Sequence, residues 1–167
     1  MRLEARGAHQ VGNALAAVAV AGLCGDDLDL AVAARERARL SPWRMEVKRS
    51  RSGALILNDA YNANPASTAA ALHALAGVAA GEKIAVLGPM AELGARSAAD
   101  HRDIAALTRR LGIRLVAVGT ELYGDEVVAG VAEATELLVP LRPSDAVLVK
   151  ASRVAGLEEL AARLLES

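Results

Sequence analysis

Asp59, Tyr61, Asn62 and Asn64 place a carboxylate, a phenol and two amides within a few residues, ending at Pro65. An Asp at the end of a strand is a good acceptor for ribose hydroxyls, and a turn acceptor is the local alternative. Asn64 and Pro65 also have the form of a helix start, with Asn64 as the cap and Pro65 in the first turn, where no donor is needed. Lys150, Ser152 and Arg153 form a second cluster of two cations and a hydroxyl beside an expected helix N-terminus. That combination suits a phosphate or a carboxylate, and a helix cap with two solvated cations is the plain alternative. A third segment, 88–94, is a glycine-bounded loop that carries Glu92. Gly88 there permits either close approach of a ligand or tight packing.

Other polar residues read more readily as structure. Ser97 and Asp100 have the spacing of a capping box. His101 lies one turn before Ile104 on an apolar stripe and fits a packed, hydrogen-bonded histidine better than a catalyst. His9 and Asn13 flank the start of the first helix, where capping is the local reading. Cys24 reads as a small apolar filler. No G-x-x-x-x-G-K-[ST] string occurs; Gly77-x-x-x-Gly81-Glu82-Lys83 has the wrong spacing and leads into a strand. No G-x-G-x-x-G string occurs either, and no cluster has metal-ligand spacing.

These segments need elements to hold them. An Ala-, Val- and Leu-rich helix is expected over 13–23, ended by Gly25, and a second over 28–39, capped by Asp26 or Asp27. Ser41-Pro42 then breaks the pattern. Trp43, Met45 and Val47 alternate with charged residues, which predicts a half-buried edge strand. Four apolar runs, 54–57, 84–87, 115–118 and 146–149, do not alternate and should be buried on both faces. Helical patterns cover 65–78 and 97–111, and Leu157, Leu160, Ala161 and Leu164 form a last stripe. Buried strands that alternate with helices give an α/β, Rossmann-like, mostly parallel doubly wound sheet. Ligands of such sheets gather at the carboxyl ends of the strands, which is where all three polar segments fall.

Composition narrows the function classes. The chain has 167 residues, 53% of them hydrophobic, so disorder is excluded. It has 38 alanines and three aromatics, none of them Phe, so its core must be aliphatic. A net charge of −1 argues against non-specific nucleic-acid binding, and so few stacking rings argue against a single-strand binder. One cysteine allows no internal disulfide. The run 14–23 is shorter than the ~20 residues of a membrane span. With no signal pattern, a cytoplasmic protein is expected. A phospho-receiver domain is excluded, because the runs ending at Gly88 and Gly119 lack an acceptor Asp.

Taken in order, the strings GAHQVGNALAA (7–17), WRMEV (43–47), LNDAYNANPAST (57–68), AVLGPMAELG (85–94) and VLVKASR (147–153), together with His101, resemble the C-terminal part of the Mur ligases. The match is to the branch that adds a D-alanyl-D-alanine dipeptide. The resemblance implies an ATP-dependent ligase that joins D-alanyl-D-alanine to UDP-N-acetylmuramoyl-tripeptide through an acyl phosphate. It makes residues 1–40 the last helices of a central ATP-binding domain and 41–167 the C-terminal domain. ATP and Mg2+ would then be held in the full enzyme and neither by this portion alone, with missing N-terminal and central domains as partners. The portion alone would be inactive, its phosphate cradle lying elsewhere.

By the same resemblance His9, Asn13, Arg44, Asp59 and Asn62 face the nucleotide. Asn64, Glu92, Lys150, Ser152 and Arg153 face the dipeptide. No residue here is assigned as catalytic or as a metal ligand. The chain departs from the family pattern at Gln10 (usually Asn), Trp43 (usually Gly), Pro89 (often acidic) and Ala151 (commonly Gly). The competing reading is a non-catalytic nucleotide- or peptide-binding module of the same fold.

Overall fold

The computed structural model describes residues 8–37, 42–124 and 126–167. The chain divides into two compact units, Met1–Ser41 and Pro42–Ser167.

The first unit is a helical hairpin of α1 (Ala8–Leu23) and α2 (Leu28–Arg37). Gly25, at φ 87°, takes the left-handed turn between them. Asp27 is the cap of α2: its Oδ1 accepts the N–H groups of Asp29 at 2.8 Å and Leu30 at 3.1 Å. A Cβ on Gly22 would lie 2.8 Å from Leu28 Cδ2, so the glycine lets the hairpin close. His9 stands inside α1, not ahead of it, because the alanine-rich run propagates further toward the N-terminus than its apolar core suggests. The side chains of His9 and Asn13, and residues 38–41, lie outside the described residues. Cys24 is exposed in the turn, which corrects its reading as a filler. Leu15, Val20, Leu23, Leu28 and Leu30 are exposed as well.

The second unit is a six-stranded sheet: β1 (Glu46–Arg49), β2 (Leu55–Asn58), β3 (Lys83–Leu87), β4 (Arg114–Val118), β5 (Glu126–Val128) and β6 (Ala146–Lys150). The spatial order is β1-β2-β6-β3-β4-β5, with β1 antiparallel at one edge and all other pairs parallel. Helices α3 (Pro65–Ala76) and α4 (Ser97–Arg110) pack together on one face; α5 (Val131–Leu138) and α6 (Glu158–Glu166) pack together on the other.

Successive residues of a strand point to opposite faces. Along β6, Ala146 and Leu148 join the core with Leu72, Leu75 and Ile104, while Val147 and Val149 join Ile56, Leu160 and Leu164. This two-sided burial is why the strands read as unbroken apolar runs. The short pair β5 and α5 carries too few residues for a periodic signal and goes unread in the sequence.

Candidate functional site

Because β2, β6 and β3 are parallel neighbours, their carboxyl ends form one rim. Hydrogen bonds continue past the strands: Asp59 N–H donates to Val149 O at 2.9 Å and Gly88 N–H to Lys150 O at 3.0 Å. The segments 59–64, 88–92 and 150–153 are therefore held side by side.

Lys150 forms the floor. Its side chain is 2% exposed, and Nζ donates to Asp59 Oδ2 at 2.6 Å and to Asn62 O at 2.7 Å. The other carboxylate oxygen of Asp59, Oδ1, accepts Met45 N–H at 2.9 Å. A buried pair of this kind contributes little net stability but fixes direction, because an unpaired partner would be costly. Lys150 is thus no solvated cation. The sequence offers no hint of this, since its partner lies just past the end of a neighbouring strand, 91 residues away.

Ser152 is also buried. Its hydroxyl accepts Ala91 N–H at 2.8 Å and donates to Ala63 O at 3.3 Å, stitching all three segments. It makes no capping bond: a three-residue 3-10 turn, Arg153–Ala155, follows it, and α6 begins only at Glu158. The helix N-terminus expected beside Lys150 is therefore displaced along the chain.

The rim is built differently. Trp43 and Met45 have φ of 61° and 50°, so 43–45 is a left-handed turn leading into β1 and not part of the expected strand. Such conformations cost about 1–3 kcal/mol each and persist only when neighbours impose them. Here the Asp59 bond to Met45 N–H and a 3.1 Å bond from Tyr61 N–H to Trp43 O hold the turn at both ends. The Arg44 guanidinium lies 3.9 Å from the centre of the Tyr61 ring. Arg153, exposed, lies 5.7 Å from the Trp43 ring and 5.8 Å from Tyr61. Both distances are within cation–π range. Sequence reasoning singled out Tyr61 in the polar segment after β2 but gave it no ligand, and it noted Trp43 only as a departure from the family pattern. The signal available was scarcity: two of the chain's three aromatics stand here.

Asn64 caps α3 in a reciprocal capping box with Ser67: Oδ1 accepts Ser67 N–H at 2.8 Å. Asn62 is exposed, and its Oδ1 accepts Ala63 N–H at 2.9 Å. Glu92 is exposed with φ of 64°, one residue beyond the Ala91 N–H that Ser152 holds.

Gly88 serves packing: a Cβ there would lie 2.7 Å from Ala151 Cβ. The loop it opens is pinned from below. Met90 N–H donates to His101 Nε2 at 3.0 Å, which puts the ring proton on Nδ1, and Nδ1–H donates to Ser97 O at 2.6 Å. Tyr123 meets the His101 ring edge-on at 4.8 Å and donates its hydroxyl to Gly88 O at 2.9 Å. Burial pushes the Tyr123 phenol well above its usual range.

The capping box expected at Ser97 is absent. A 3-10 turn, Gly94–Arg96, leads into α4, Ser97 is its first residue, and Asp100 pairs with Arg96 at 2.8 Å. Among the described residues, no group of three or more His, Cys, Asp or Glu could hold a metal ion. No described helix is long and apolar enough to cross a membrane.

A parallel sheet with one antiparallel edge strand and helices on both faces has counterparts among known proteins. The chain belongs to the Mur ligase family: the model of the Mur ligase glutamate ligase domain matches residues 43–153. The UDP-N-acetylmuramoyl-tripeptide–D-alanyl-D-alanine ligase of Mycobacterium tuberculosis is 40% identical over 200 aligned positions, which span 99% of this chain and 39% of that protein. The Escherichia coli enzyme of the same name is 34% identical, over 96% of this chain and 38% of its own. A crystal structure of MurF from Acinetobacter baumannii superposes with a TM-score of 0.86 at 34% identity, covering all of this chain and 39% of that one. The MurF ligase of Thermotoga maritima, solved in complex with ADP, shares the fold at a TM-score of 0.79 and 24% identity. The chain thus spans about two-fifths of the length of the relatives it matches.

Proposed function

We propose that this chain is the C-terminal portion of an ATP-dependent ligase that joins D-alanyl-D-alanine to UDP-N-acetylmuramoyl-tripeptide in the cytoplasm. In this reading 1–40 belong to the central domain and 41–167 form the domain that closes over the nucleotide. His9, Asn13, Arg44, Asp59 and Asn62 face the nucleotide. Asn64, Glu92, Lys150, Ser152 and Arg153 serve the dipeptide side. Lys150 and Ser152 act from beneath, by fixing the Asn62 and Ala63 carbonyls, while Arg153 is the cation left to meet a carboxylate. ATP and Mg2+ are held by the full enzyme. This portion has no P-loop string and turns nothing over alone.

The observation that carries the reading is the pair of guanidiniums, Arg44 and Arg153, set against the Tyr61 and Trp43 rings, with the buried Lys150–Asp59 pair in the same strand-end segments. Phosphoryl transfer works by positioning and charge neutralisation, and a closing domain that brings cations to a nucleotide supplies both. The apolar surface of α1 and α2 supports the domain reading, since those side chains need a neighbour to cover them.

The test is an NMR titration of this chain. ADP should move the resonances of Arg44, Asp59 and Asn62, and D-alanyl-D-alanine those of Arg153 and Glu92. Shifts confined to other faces of the sheet overturn the assignment. Phosphate release by this chain alone, given ATP, the tripeptide precursor and the dipeptide, overturns the proposed division of labour.

A further inference from the structure

We propose that Trp43 is a positioning residue for Arg153: its indole face holds that guanidinium ready to fork a carboxylate. The proposal rests on the dipeptide reading of the Arg153 side and adds to it a residue from the turn that leads into β1. Three observations lead there.

The backbone of Trp43 sits at φ 61°, a region that glycine occupies freely and bulky side chains avoid. A large aromatic there needs a compensating contact. The bond from Tyr61 N–H to Trp43 O is not it, because any residue supplies that carbonyl. What only a broad ring supplies is the face that lies 5.7 Å from Arg153 Cζ.

Arg153, in turn, is exposed, and among the described residues no carboxylate lies within ion-pair distance of it. Its neighbour Ser152 is locked by hydrogen bonds, so the backbone is fixed while the long side chain is not. Stacking a guanidinium on a ring restricts the side chain yet leaves its five N–H donors free in the guanidinium plane. A restrained fork loses less freedom on binding a carboxylate.

Arg44 is treated the same way on Tyr61, at 3.9 Å, and Tyr61 also lies 5.8 Å from Arg153. Two like charges are thereby gathered around one ring. Like charges gathered there repel one another, and a bound anion relieves that repulsion, which makes a carboxylate or phosphate the ligand class that fits.

The experiment uses this chain with three changes: Trp43→Gly, Trp43→Phe and Arg153→Ala. Glycine suits the left-handed turn, so the first variant should fold at least as well as the parent. In the parent, the Arg153 Nε–H resonance should be ring-shifted and its relaxation restrained. Trp43→Gly should remove the shift and raise the mobility, and Trp43→Phe should restore part of both. Affinity for D-alanyl-D-alanine should fall about threefold in Trp43→Gly, the size of an exposed cation–π contact. It should recover partly in Trp43→Phe and not fall further when Trp43→Gly is added to Arg153→Ala. An Arg153 resonance and mobility unchanged by Trp43→Gly overturn the proposal, as does the same loss of affinity with Arg153 already removed. If the parent binds no dipeptide at all, the substrate reading fails, and the resonance measurements still decide whether Trp43 holds Arg153.

Discussion

Lys150 and Arg153 stand three residues apart and meet opposite surroundings. The first is 2% exposed and bonded to Asp59 and Asn62; the second is exposed and, among the described residues, lies within cation–π range of two rings and in no ion pair. Between them Ser152 ties the neighbouring loops. The difference teaches that a run of polar residues at a strand end can hold two layers, a floor whose groups bond one another and a rim whose groups remain free for a ligand. The floor should therefore be read out in stability and the rim in binding.

Lys150→Met is the most severe way to probe that separation. It strands the Asp59 carboxylate, which is 16% exposed, and should cost about 3 kcal/mol in urea unfolding. A cost below about 1 kcal/mol, the range of surface pairs, would break the comparison from the floor side.

Gly88→Ala comes next. The added methyl meets Ala151 Cβ at 2.7 Å, and the expected loss is about 2 kcal/mol by the same measurement.

Tyr123→Phe removes the bond to Gly88 O and should cost about 1 kcal/mol at neutral pH. It also has a pH signature. The folded phenol titrates above its unfolded value of about 10, so the folded state keeps a proton that the unfolded chain releases. This contribution is full below about pH 10 and is lost as pH rises toward the folded value. The unfolding midpoint of the parent should fall over that window, and more steeply than that of Tyr123→Phe.

Arg153→Ala is the gentlest change to the fold. Its stability should stay within about 0.5 kcal/mol of the parent while the dipeptide-induced NMR shifts disappear. If it unfolds the chain as readily as Lys150→Met, the rim is part of the floor and the two layers merge.

Much of this fold was legible because both faces of the sheet are covered. Burial on both sides writes apolar runs at 54–57, 84–87, 115–118 and 146–149, and each overlaps an observed strand. Asn64-Pro65 announced α3 because capping is local chemistry. What could not be read depends on distant partners or on backbone conformation. The alternation of Trp43, Met45 and Val47 suggests one strand, yet left-handed residues at 43 and 45 restrict it to Glu46 onward. Ser97 and Asp100 have the right spacing for a cap, but a preceding 3-10 turn draws Ser97 inside the helix. At the site, the clusters at 59–64 and 150–153 were visible as strings and do converge. The burial of Lys150, and the part played by Trp43 and Tyr61, required the neighbouring strands to be seen in place.

The position of β6 has a consequence for how the domain is made. It is the last strand in sequence and lies between β2 and β3, which do not pair with each other. A ribosome that has released residues 42–140 has delivered two separate half-sheets with a gap along the middle. Only the arrival of the final strand zips them together, and the same event carries Lys150 beneath Asp59. Closing the sheet and finishing the crevice are thus one step, so a chain truncated before β6 would be left with two unpaired inner edges, and those are the surfaces on which strands of different molecules join.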